Sequence, residues 1–435
     1  MSNSAQTAYP TACDSVSRSN KKVEPYSAVT HITPKNCYYI GQYERQMKRR
    51  TYLTLTASGI PLISGCSGLQ QSKSSTATEA TRTASTATPA RKNTAATPPE
   101  EPPSKTDSAP TPTPVQRLPS PMAVDNTNPF VYLNDIPTDN FNGELALAMA
   151  SDSNGIQLDG YLHEFPSVPW WDSKQKQTEA ENRYANHHRL IRTKAVESGF
   201  TDLPPAETGV NTRHTKPESE AIDETDPIGS AATDRIVAAA NAASRENPLV
   251  IAAGGPLCSI ADAYLTDPSI VEKVVVFCRI RPAIDGWNEF LSGWSLTIVT
   301  RKFQTVFCPA SGGPLIERSR VQDSLPEKPL RKYMLNKTYD GSGENPLADG
   351  QKWEGDAVSI LSGAHPSTRT EAVRLKFAGL KEHWALGEVL PSYTETTEET
   401  NTHVIPKHRH QPMNAAWWSH MTAASAWGRE SETTE

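Results

Sequence analysis

Two short runs without a charged side chain, Phe130-Val131-Tyr132-Leu133 and Leu249-Val250-Ile251-Ala252-Ala253, most constrain what this chain can fold into. A strand with one wet face alternates polar and apolar residues, whereas an unbroken apolar run is covered on both faces. Val271 to Phe277 and Ile156 to Leu162 suit two further strands. Helical segments lie between them: Glu144 to Ala150, the long charged stretch Gln175 to Ser198, alanine-rich Ala231 to Ala243, and Cys258 to Leu265. Strands alternating with helices predict an α/β domain, a mainly parallel Rossmann-like sheet with helices on both faces. Ligands of such sheets sit outside the carboxyl ends of the strands. The turns after Leu133 and after Ala253 are therefore the places to look for a site.

Upstream of that domain the composition changes. Lys48, Arg49 and Arg50 form a cationic start, a mostly apolar run from Tyr52 to Ile63 follows, and Ser64-Gly65-Cys66 ends it. That order is the order of a secretory signal, and the run is too short to span a bilayer. Residues 47–66 resemble a lipoprotein signal with a lipobox, with Cys66 as the lipidated residue and Arg49-Arg50 as a twin-arginine pair. The competing reading is a buried helix that ends in Gly-Cys. Residues 1–46 are polar without a sustained period and read as disordered or as an over-extended reading frame, with translation starting at Met47. Residues 67–121 are Ser, Thr, Ala and Pro with scattered charge, a stalk that cannot bury enough apolar surface to offset chain entropy. Residues 122–391 carry the α/β domain. Residues 392–435 read as a polar extension, in which His408 and His410 are either metal ligands or ordinary tail residues.

The charge divides along the same boundary. Residues 1–120 hold 14 Lys/Arg against 7 Asp/Glu, and the remainder holds 29 against 42. An acidic folded part argues against nucleic acid as a partner, because phosphate binding needs clustered cations. It is compatible with a cation site. The cysteines at 13, 37, 66, 258, 278 and 308 include no CxxC pair, which excludes the usual zinc and thioredoxin-like motifs.

The turn after the first strand reads Asn134-Asp135-Ile136-Pro137-Thr138-Asp139-Asn140-Phe141-Asn142-Gly143-Glu144. Carboxylates and amides at this density either supply hard oxygen ligands for calcium or magnesium, or cap the helix that follows through Asp139 or Asn142. The second turn, Gly254-Gly255-Pro256-Leu257-Cys258, lets backbone approach a ligand closely. Asp356, in Trp353-Glu354-Gly355-Asp356-Ala357, opens a third apolar segment and reads first as a cap.

Together these segments resemble the inosine/uridine-preferring nucleoside hydrolases over about Asn128 to Phe377. That family begins with a strand and a DxDPGxDD loop, and Asp139 and Glu144 keep the spacing of the loop's second and last aspartates. Asp139 to Glu144 is similar to a divergent DNxxGE version. Gly254 to Cys258 is similar to the family's GGPLT turn, and Ala261-Asp262-Ala263 and Asp267-Pro268 follow as they do there. The resemblance implies calcium held by Asp139, Glu144, the Cys258 carbonyl and Asp356, with Asp139 also the general base and Asn288 a ribose contact. It implies a small-molecule nucleoside or related ribosyl substrate whose C1′ is attacked by water. Three features depart from the family: Gly143 replaces an aspartate that holds ribose, Gly355 replaces a histidine that protonates the leaving base, and His163-Glu164-Phe165-Pro166 lacks the ribose-holding asparagine expected after the second strand. An exported, lipid-anchored hydrolase of an N-glycosidic bond is the expectation. A catalytically silent ligand-binding module, or a glycosidase for another sugar, are the alternatives. The sequence sets no oligomeric state.

Overall fold

A computed structural model describes residues 118–166, 174–282, 286–338, 343–382, 389–423 and 427. The expectations for residues 1–46, for the signal segment with Cys66, and for the stalk as far as residue 117 lie outside the described residues.

Pro129–Asn134 forms β1, with every side chain buried. It is followed by α1 (Asn142–Ala150), β2 (Gln157–His163), α2 (Lys174–Glu197) and β3 (Ala206–Thr208). Then come α3 (Ala231–Ala242), β4 (Leu249–Ala253), α4 (Cys258–Thr266) and β5 (Val274–Cys278). α5 (Trp287–Leu291) and α6 (Gly293–Lys302) precede β6 (Gln304–Phe307). A smaller group follows: β7 (Leu315–Glu317), α7 (Arg318–Ser324), α8 (Pro329–Asn336), β8 (Gln351–Trp353) and α9 (Ala357–Ala364). β9 (Val373–Glu382), β10 (Val389–Glu395), β11 (Thr402–Val404) and α10 (His410–Thr422) come last.

Nine of these strands make one sheet in the order β10-β9-β11-β6-β5-β4-β1-β2-β3. The pairs from β11 to β3 are parallel, and β9 and β10 add an antiparallel edge. The expected architecture is therefore present. Period-two alternation sorts the strand residues between two cores. Phe130, Tyr132, Val250, Ala252, Val275 and Phe277 pack with α1, α9 and α10 on one face. Val131, Leu133, Ile251, Ala253, Val276 and Cys278 pack with α3, α4 and α6 on the other. A slip of one residue would exchange the two sets, so register is firmly specified. α1 is buried from Asn142 to Met149, which is why its sequence is apolar all round from Leu145 onward rather than striped.

Two expectations are corrected. Val271 does not begin a strand. The Asp267 side chain accepts the Ser269 N–H at 3.0 Å and caps a 3₁₀ turn over Pro268–Lys273, so β5 starts at Val274. The segment from residue 392 is not a polar extension either. It carries most of the edge strand β10 and the inner strand β11, which lies between β9 and β6, and α10 buries Met413, Trp417, Trp418 and Met421 against α1 and α9. The four large side chains do the packing while the polar residues between them hide the signal. His408 and His410 lie on the carbonyls of Ser311 and Gly313 through Nδ1, at 3.2 and 3.0 Å. Among the described residues no helix is long and apolar enough to cross a membrane.

Trp417 is fully buried in the larger core. Trp417→Ala should cost about 3–5 kcal/mol, the usual penalty for emptying an aromatic core site. Urea denaturation measures it, and a loss under about 0.5 kcal/mol, the surface range, would show that α10 is not part of the core.

Candidate functional site

β1 has β2 on one side and β4 on the other. The chain leaves β1 for α1 on one face and β4 for α4 on the opposite face. Where connections part in this way a crevice opens at the carboxyl ends of the strands. The residue 134–141 loop, the Gly254-Gly255 turn, Arg279 after β5 and Asp356 before α9 meet there.

Asn140 organises the loop. Its Nδ2 donates to the Ile136 carbonyl at 2.9 Å, to Asp139 Oδ1 at 2.9 Å and to Asp356 Oδ2 at 3.4 Å. Its Oδ1 accepts from Asn134 Nδ2 and from the Asn142 N–H, both at 3.2 Å. Two carboxylates 217 positions apart in sequence thus share one amide. Asp139 is half-buried, not a cap: the cap position of α1 is Phe141, without a side-chain bond of its own. Asp356 occupies the cap position of α9 but makes no capping bond. Its carboxylate faces the Arg279 guanidinium at 3.5 Å. Burial pushes the Asp356 carboxyl up, Arg279 opposes the shift, and the charge of Asp139 adds to it.

Glu144 is in a different place. Its carboxylate lies under the loop with no exposed surface, and Oε1 accepts from Lys337 Nζ at 2.7 Å. The same ammonium donates to the carbonyls of Pro137, at 3.2 Å, and Asn140. The Phe141 ring covers it at 4.0 Å. Burial raises the Glu144 carboxyl and lowers the Lys337 ammonium, and each partner holds the other charged.

The two glycine departures have steric reasons. A Cβ on Gly143 would stand 2.6 Å from the Tyr161 hydroxyl, so that hydroxyl takes the space of the expected aspartate. A Cβ on Gly355 would press on Ala310 at 3.1 Å and on the Arg279 guanidinium at 3.3 Å, so Arg279 takes the space of the expected histidine. Asn288 Nδ2 holds two strand ends together, donating to the carbonyls of Gly254 at 2.7 Å and Arg279 at 3.3 Å. Cys258 is the first residue of α4, so its carbonyl is directed down the helix. Its N–H and that of Ser259 are taken by the buried Glu164 carboxylate, at 2.7 and 2.6 Å.

The structure thus joins Asp139 to Asp356 and leaves Glu144 with Lys337. Among the described residues no group of three His, Cys, Asp or Glu side chains is arranged to hold a metal. The donor set also fits calcium poorly on its chemistry. One carboxylate already carries an ammonium, another faces a guanidinium, and a divalent cation would meet both positive charges. A second constellation has the residue types of a charge relay: Ser295 Oγ lies 3.0 Å from His214 Nδ1, and His214 Nε2 lies 3.2 Å from Asp262. It is scaffolding. Ser295 is buried, and Asp262 also accepts from Ile228 N, Gly229 N and Thr233 Oγ1.

The sequence reading missed Lys337, Arg279, Glu354 and Glu164. Glu354 Oε2 accepts the Phe141 N–H at 3.1 Å and so serves the start of α1 from a remote strand end. Arg279 was within reach, because it directly follows the apolar run of β5.

No family model matches the chain, and no curated protein matches it. Among solved structures it is similar to a plant nucleoside hydrolase and to an inosine–guanosine nucleoside hydrolase, each at 12% identity, over 68% of this chain and 99% of theirs, with a TM-score of 0.46. A purine-preferring ribonucleoside hydrolase from Gardnerella vaginalis matches at 12% identity over the same shares, with a TM-score of 0.43. The chemistry of the crevice rests on this chain's own residues.

Burial raises the Glu354 carboxyl to about 7 from an ordinary 4.5. The folded state therefore holds that proton more tightly than the unfolded state. The resulting stability is fully present below pH 4.5 and is lost as pH rises through about 7. Glu354→Gln should flatten this fall, measured as denaturation free energy at acid and alkaline ends of that window. An unchanged slope would remove Glu354 as its source.

Proposed function

We propose that the domain hydrolyses an N-glycosidic bond in a ribonucleoside or related small molecule. The observation that carries this reading is the Asp139–Asn140–Asp356 group at the mouth of the crevice. Both carboxylates are half-buried and share the Asn140 amide, and only Asp356 also faces a guanidinium; two neighbouring carboxylates with different partners are the requirement for paired base and acid chemistry. Asp139 takes a proton from water as the water oxygen bonds to C1′. The C1′–N bond breaks, its electron pair leaves with the base, and Asp356 in its protonated form is the group placed to protonate the departing nitrogen. Arg279 stands beside Asp356, where it favours negative charge developing on the leaving group. No step runs through calcium, two of whose expected donors, Glu144 and Asp356, face resident cations.

Asp139→Asn should retain the fold and lower sugar release by roughly 10²–10⁴-fold, the range for lost acid–base catalysis. A reducing-sugar assay over a panel of nucleosides measures this. A variant as active as the parent would remove Asp139 from the reaction. A folded parent that releases no sugar from any nucleoside supports the second reading, a silent ligand-binding module. That reading is favoured by the Tyr161 hydroxyl and Arg279 standing where ribose and base contacts were expected.

In the same proposal the chain is exported and held at the outer face of the cell membrane through Cys66. One acyl chain binds only marginally, so the anchor has to carry more than one. Cys66→Ser should move the protein from the membrane fraction to the soluble fraction with the domain still folded. Unchanged retention would dispose of the lipid anchor.

A further inference from the structure

We infer that Lys337 is the resident cation of the residue 134–144 segment, its ammonium taking Glu144, one of the carboxylates that the sequence resemblance gives to calcium, so that the crevice assembles without a divalent metal. The donors are of the kind a hard cation selects, two backbone carbonyls and a carboxylate. They come from Pro137 and Asn140 in the Asp-rich loop and from Glu144 in the first turn of α1. An ammonium has three N–H groups, and here it has three oxygens to receive them. The fourth side is closed by the Phe141 ring. Neither Lys337 nor Glu144 has any exposed side-chain surface.

The cation is also tethered. Lys337 directly follows α8, whose Leu330 N–H donates to Ser198 Oγ at the end of α2, at 2.8 Å. The Lys337 carbonyl accepts from Asn345 Nδ2 at 2.7 Å. An ion in exchange with solvent is thereby replaced by one carried on the chain. A calcium ion at Glu144 would have to expel an ammonium that cannot leave. Lys337 is a positioning residue: it touches neither crevice carboxylate and acts through the loop that presents Asp139 and Asn140. The inference concerns the loop's cation and stands whether or not the crevice hydrolyses a nucleoside, so its test needs no substrate.

The full chain is unfolded thermally in chelator and in excess calcium, and titrated with calcium chloride by calorimetry. The parent should show the same midpoint in both and no binding heat. Lys337→Ala frees three oxygens, so it should unfold earlier in chelator and gain a midpoint that climbs with calcium concentration, as expected when an ion binds only the folded state. The Glu144→Gln/Lys337→Met pair lacks both charges and should show no calcium response. Calcium raising the parent's midpoint overturns the inference. So does a folded Lys337→Ala protein indifferent to calcium. If Lys337→Ala does not fold in either condition, the parent's response alone decides.

Discussion

An ammonium shut away from water has to be matched oxygen by oxygen, and a carboxylate beside it has to be matched in charge. Lys337 and Glu144 do this for each other beneath the loop that follows β1. Bringing two such ions into the interior costs several kcal/mol apiece, and only close geometry with the remaining donors satisfied offsets it. The Pro137 and Asn140 carbonyls supply the remaining acceptors for the ammonium, while Glu144 Oε2 is buried without a hydrogen-bond partner. The loop is therefore fixed from below, at its own backbone. Removing one partner leaves an uncompensated buried charge, a loss of about 3–5 kcal/mol where such pairs have been broken.

The rest of the crevice follows from that fixed backbone. With its carbonyl held by Lys337, Asn140 can direct its amide to Asp139 on one side and Asp356 on the other. Glu354 receives the next N–H along the chain, from Phe141, so the segment before α9 is registered against the start of α1. This brings Asp356 to the crevice, and the absence of a side chain at Gly355 lets Arg279 reach it. The two glycines that depart from the family pattern accommodate a hydroxyl and a guanidinium. They mark a pocket with different contacts, not one left open.

The parallel sheet was legible because β1 and β4 are covered on both faces, and two-sided burial leaves no polar residue in the run. The carboxyl-end rule then pointed to the turns after β1 and β4, where the candidate site is placed. Asp139 and Asp356 were legible as candidates because an aspartate freed from capping still sits at a helix start. The Lys337–Glu144 pair was not, since 193 residues separate the partners and Lys337 is one lysine among several at the end of a short charged helix. α10 was missed for a related reason. Met413, Trp417, Trp418 and Met421 share one helical face, but the histidines and other polar residues around them, after an acidic, threonine-rich run, make the segment read as a polar tail.

The most direct measurement is a crystal structure of the protein grown in a large excess of calcium, with anomalous data. The account predicts nitrogen density on Glu144 Oε1 at the hydrogen-bond separation of 2.7 Å, and no anomalous peak beneath the loop. A peak there, with oxygens at roughly the 2.3–2.6 Å of calcium coordination and Lys337 turned away, would contradict it.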